Sequence, residues 1–171
     1  MSEVRVKRSQ FATFLNTTPK GETTTYARMG KGITTASVAY NPTVNDELYI
    51  SQDGANKSLD SYAPSMASEQ VAFAGDPVFD FVDNLRQSRA VGDEAKTDML
   101  MVYIYDQENE GTYRAEKQEV IVSINEFGGD AGGAVTISYD AGFCGEPVKG
   151  TVTIVDGKVT FKEATVTPPT E

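Results

Sequence analysis

The 171-residue chain holds no histidine and one cysteine, Cys144, so a histidine base, an intramolecular disulfide and the usual zinc, haem and copper ligand sets cannot be assembled within it. Asp80 and Asp83 are spaced to share a helix face, but a carboxylate pair hydrolyses glycosides only when one member is shielded enough to stay protonated, and both are expected to be solvated. GKGITT at residues 30–35 lacks the GxxxxGK[ST] spacing of a phosphate-binding loop and precedes no helical pattern. It reads instead as a glycine turn between two strands. GGDAGG at residues 128–133 could cradle an anion through its backbone N–H groups, but a tight turn between strands is the simpler reading. The DxDxDG calcium pattern is absent, and no serine or threonine has a recognisable base or elbow motif. No cofactor, metal or catalytic residue is therefore expected, and enzyme function is disfavoured.

The element best defined by pattern is residues 75–87, GDPVFDFVDNLRQ. Val78, Phe81, Val82 and Leu85 fall at i, i+3, i+4 and i+7, one face of a helix, and form its expected core. Asp76 suits the N-cap, Pro77 the first helical position, and Gly92 lies just beyond the end, which predicts a helix over about 77–90. Burying the stripe contributes roughly 6–12 kcal/mol before ordering entropy. Nearly everything else reads as strand, so the helix must cover a sheet.

Length and composition predict one domain over residues 1–171, with 39% hydrophobic residues and sixteen Phe and Tyr to fill a core. No apolar run approaches the roughly 18 residues of a membrane span, and MSEVRVKRSQ has no apolar signal core, so the expectation is a cytoplasmic protein or one that leaves without a signal. The net charge of −10 is uneven: residues 1–31 carry six Lys or Arg against two Glu, net +4, and the other 140 carry nine against 23, net −14. An acidic body disfavours tight nucleic-acid binding, although solubility alone also accounts for it.

In the arm, residues 1–10, Val4 and Val6 alternate with Arg5 and Lys7, followed by Arg8. The pattern suits a solvated arm, an edge strand or a segment that pairs with a neighbour. Residues 41–64 are polar, with Pro42, Gly54 and Pro64, and look like a long connection with little structure of its own. Tyr40, Tyr49 and Tyr62 make it a candidate arm that docks on another subunit. TDMLMVYIYD, residues 97–106, is apolar on both alternating faces, so the strand should be covered once by the core and once by the helix or another subunit. Residues 113–127 and 135–139 read as strands, and Asp156-Gly157 as a type I′ hairpin turn within residues 151–161. The tail, residues 163–171, with Pro168 and Pro169, is expected to be mobile or to dock outside the fold.

The ordered set VKRSQF (6–11), ARMGKGITTASVAYNP (27–42), SYAPSMASEQ (61–70), GDPVFDFVDNLRQ (75–87) and AEKQEVIVSINEFGGDAGGAV (115–135) resembles the major tail tube protein of long-tailed, non-contractile phages and prophages of Gram-positive bacteria. The resemblance implies a mainly β fold, an antiparallel β-sandwich or half-barrel with one packed helix. It also implies six-fold rings stacked into a hollow virion tail tube that conducts DNA without binding it. The implied partners are further copies, a tape-measure protein, a tail terminator and distal tail proteins, with assembly in the host cytoplasm and no membrane. Residues 41–64, the basic arm (Arg5, Lys7, Arg8) and the tail would then join subunits, and Glu116, Glu119 and Asp140 are candidates for an acidic lumen wall. Two other readings stay open: the inner tube of a contractile tail or injection device, and a monomeric β-sandwich binding module.

Overall fold

The structure, a computed structural model, describes residues 3–165. Ten strands and one helix follow in order: β1 (Phe11–Asn16), β2 (Tyr26–Arg28), β3 (Ile33–Ala39), β4 (Pro42–Glu47), β5 (Asn56–Tyr62), β6 (Ser65–Val71), α1 (Pro77–Ser88), β7 (Lys96–Asn109), β8 (Thr112–Gly128), β9 (Thr136–Val155) and β10 (Lys158–Glu163). The main sheet is antiparallel, ordered β2-β1-β7-β8-β9-β6-β3, with β10 also on β9. β6 takes residues 136–142 of β9 and β10 takes residues 150–155, so one long strand serves two neighbours. The fold is the expected antiparallel half-barrel with one helix.

Two apolar clusters lie on opposite sides of the shared strands β7, β8 and β9. The larger joins α1 (Val78, Phe79, Val82) to Leu15, Met66, Met99, Met101, Val120, Val122, Ile137 and Tyr139. The smaller comprises Ala12, Phe14, Leu100, Val102, Ala115 and Val152, with Tyr26 of β2 and Phe161 of β10 packed on it, so the sheet curls around this side. Both faces of residues 99–102 are thus covered by their own chain, and no second subunit is needed to explain their double apolarity.

The helix begins where the N-cap chemistry predicts: Asp76 accepts from the Phe79 N–H at 3.0 Å, and Pro77 occupies the first turn. It ends at Ser88 rather than about residue 90 because Arg89 adopts a left-handed conformation (φ 50°, ψ 47°) and donates its N–H to the Arg86 and Leu85 carbonyls. Its buried face is centred on Val78, Phe79 and Val82, whereas Phe81 and Leu85 are half-buried at the margin. Asp83, expected to be solvated, is half-buried and holds Arg86 at 2.7 Å, and the Arg86 guanidinium stacks on Phe127 at 3.9 Å.

Two turns are fixed by backbone geometry. Gly32 has φ +76°, and an added Cβ would come within 2.7 Å of the Val71 carbonyl oxygen, so only glycine carries the chain into β3. Asp156 (φ 49°) and Gly157 (φ 77°) make the expected type I′ turn between β9 and β10.

Residues 41–64 differ from the structureless connection expected of them. β4 and β5 pair with each other as a separate two-stranded hairpin, and every residue of both strands is exposed. In the arm, residues 3–7 form no strand among the described residues, and Arg8–Gln10 make a single 3₁₀ turn. Of the tail, Pro168 and Pro169 lie outside the described residues.

Candidate assembly surfaces

Cross-strand register decides which side chains share a surface. On the side away from α1, β8 presents Glu119, Ile121, Ser123 and Asn125, paired with Cys144, Gly142 and Asp140 of β9. Ser65, Ala67 and Glu69 of β6 continue this row, followed by Ser37 and Ala39 of β3. Apart from Ile121 the face is small or polar, and among the described residues nothing covers it beyond Lys117. It carries Glu69, Asp98, Glu119, Glu126 and Asp140 against Lys96 alone, five carboxylates to one ammonium. Lys96 lies 3.0 Å from Asp93 and 3.8 Å from Glu119, and Asp140 accepts from Asn125 Nδ2 at 3.0 Å. Asp98 sits beside Tyr26, whose phenol is pushed up to about 12, chiefly by burial and then by that carboxylate.

Glu119 and Asp140 therefore share the open face, but Glu116 does not. Its partner across the strand is Met101, on the α1 side, where Tyr103 OH donates to Glu116 Oε2 at 3.2 Å. Burial first, and then the Glu116 charge, raise the Tyr103 pKa well above the usual phenol range.

The same four strands, β3-β6-β9-β8, end in two unpaired edges. Among the described residues β3 pairs only with β6, and residues 122–128 of β8 extend past Lys96, the first β7 residue paired to it. Their free side opens into a cavity of about 710 Å³, lined by Leu85, Ala90, Val91, Ile121 and Phe127 with Arg86 and Arg89 at its rim. Unpaired N–H and C=O groups are a template for another strand. At the β3 edge, Arg8 Nη2 donates to the Ala36 carbonyl at 2.9 Å and its guanidinium lies 5.2 Å over Phe11. Arg8 is thus engaged within its own subunit, whereas Arg5 and Lys7 are exposed.

The tyrosines are separated by the hairpin's length. Tyr40 and Tyr62 meet edge to face at its root, with ring centroids 6.2 Å apart. Tyr49 is at the tip with Leu48 and Ile50, its hydroxyl donating to Glu47 Oε2 at 2.7 Å. A hairpin with both faces in water and an apolar tip cannot be stable for its own sake. The sequence signal that could have revealed it is the pair of polar six- and seven-residue runs flanking residues 48–55.

Neither a protein-family profile nor a curated relative matches the chain. Among solved structures, it is similar to a chain from the tail of an empty GTA particle with C6 symmetry, with TM-score 0.60 and 11% identity over 85% of this chain and 98% of that one. At that identity the likeness concerns the fold.

Proposed function

We propose that this chain is a tail tube subunit of a phage-like particle, non-catalytic, six copies of which close into a ring and stack into a hollow tube. The observation that carries the reading is the four-stranded sheet, open and acidic on one face and, among the described residues, unpaired along β3 and along residues 122–128 of β8. Such edges are a hazard in a monomer, but they vanish when the β8 edge of one copy pairs with the β3 edge of the next. A head-to-tail contact of this kind closes into a ring when its rotation permits.

The six-fold symmetry of the GTA particle tail supplies the copy number for the calculation. Twenty-four strands spaced about 4.8 Å and tilted about 40° make a barrel of about 48 Å backbone diameter. Side chains extending about 5 Å inward leave a bore of about 38 Å, ample for one DNA duplex. A net charge of −4 per subunit on the open face would line that bore, and a like-charged wall repels the phosphate backbone. The wall would let DNA pass without binding, and the hairpin would reach the adjacent ring. Tape-measure, terminator and distal tail proteins, a non-contractile tail and a Gram-positive host belong to this reading through the sequence resemblance.

Electron microscopy of the purified chain, dilute and concentrated, alongside sedimentation, tests the proposal. Rings or hollow tubes of uniform width are expected. A monomer at every concentration, including after addition of a tail-tip initiating complex, overturns it.

A further inference from the structure

A further cavity lies at the root of the hairpin, apart from the open face and the two sheet edges. It measures about 800 Å³ and is lined by Tyr40 and Tyr62, the sulfur-bearing chain of Met101, and the carboxylates of Asp60, Glu116 and Glu146. No lysine or arginine lines it among the described residues. The Arg114 guanidinium stacks 4.6 Å over Tyr103, the ring whose hydroxyl donates to Glu116, and is paired with Asp106 at 2.8 Å, so its charge is already met. Glu116 accepts from Tyr103 and Asp60 from Asn45 and Ser58, but none of the three carboxylates has an ion-pair partner among the described residues, and aromatic faces beside such charges favour an alkyl-stemmed cation.

The same chain carries a segment of matching chemistry. Residues 3–7 are exposed and form no secondary structure, with Val4 81% and Val6 51% exposed, alternating with Arg5 and Lys7. Neither Arg5 nor Lys7 has an ion-pair partner among the described residues. Extended chains place alternate side chains on opposite sides, so Val4 and Val6 could lie on the exposed rings of Tyr40 and Tyr62 while Arg5 and Lys7 reach Asp60 and Glu146.

We infer that the hairpin-root cleft receives the basic N-terminal arm of a second copy, an inference that rests on the self-assembly reading and names one of its contacts. Charge complementarity selects this occupant: three carboxylates line the cleft, and Arg5 and Lys7, in the basic N-terminal stretch of an otherwise acidic chain, have no ion-pair partner among the described residues. Because the anchor at Arg8–Gln10 leaves the arm free, it can cross to the neighbouring subunit.

The test is disulfide trapping in the full chain, with Cys144→Ser, Val6→Cys and Ser61→Cys combined and oxidised after assembly. A ladder of covalent oligomers on a non-reducing gel is expected. A fast-migrating covalent monomer means the arm folds into its own cleft, and overturns the inference. Rings without cross-links overturn it while leaving the assembly reading intact, whereas absence of rings in the unmodified chain overturns that reading itself. A charge swap gives a second readout. Arg5→Glu with Lys7→Glu should raise the concentration needed for assembly about tenfold. Adding Asp60→Lys and Glu146→Lys should restore it, and no rescue in a variant with unchanged melting temperature also overturns the inference.

Discussion

Replacing Phe79 and Phe81 separately by alanine tests how α1 is seated. Phe79 is only 8% exposed and belongs to the larger cluster, whereas Phe81 is half-buried at its margin. Removing a buried phenylalanine costs about 3–5 kcal/mol, since the surrounding side chains collapse only partly into the space. A side chain already half in water forfeits about half of that, so Phe81→Ala should cost about 1.5–2.5 kcal/mol. For a domain of this length each kcal/mol lowers the melting temperature by about 2–4 °C, which predicts a fall of about 6–20 °C for Phe79→Ala and about 3–10 °C for Phe81→Ala. Urea unfolding followed by circular dichroism should be run where sedimentation shows only monomer, because assembly stabilises the fold by mass action. A Phe81→Ala loss equal to or larger than that of Phe79→Ala would refute the placement of the helix.

Tyr139 is 1% exposed, its hydroxyl has no hydrogen-bond partner among the described residues, and burial raises its pKa, as it does for Tyr103 and Tyr26. A raised phenol pKa means full stability below pH ~10, the unfolded value, and progressive loss above it. Tyr139 alone removes up to about 1.4 kcal/mol per pH unit there, so Tyr139→Phe should be close to neutral at pH ~7 and flatten the alkaline limb of the stability curve, read from tyrosinate absorbance beside circular dichroism. On the open face, Glu119→Lys with Asp140→Lys changes each subunit's wall from −4 to neutral. Assembled tubes of that variant should retain double-stranded DNA at low salt and release it as salt rises, whereas wild-type tubes retain none in a filter-binding assay.

The helix was legible because its start is written chemically: Asp76 followed by Pro77 can hardly mean anything else, and the structure places the cap there. Its face was read correctly at Val78 and Val82, with Phe81 and Leu85 packed at the margin, but Phe79 was missed. The i, i+3, i+4, i+7 rule selects Phe81, but the helix leans toward the sheet on Val78 and Phe79, adjacent residues that the periodic template does not weight together. The type I′ turn was legible for the same reason as the cap, a residue pair with one conformational use. β4 and β5 were not, because alternation appears only where one face is buried, and theirs bury nothing in the subunit. Residues 99–102 showed two apolar faces but not their owner, and the second face is closed by β2 and β10, distant in sequence. Of the acidic residues assigned to a wall, Glu116 and Glu119 lie three positions apart on β8, so alternation alone puts them on opposite faces, whereas the register that sets Asp140 opposite Ser123, on the Glu119 side, is invisible in the string of letters.

β7, β8 and β9 run through both clusters without interruption, and β9 alone has 20 residues, roughly 65 Å if straight. Neither cluster can therefore open while the other stays shut. Amides in the middle of β8 and β9 should exchange with solvent only through whole-molecule unfolding. A pull along these strands would load dozens of ladder hydrogen bonds in shear at once, where a peeling force would meet them singly. The subunit fails as a single piece.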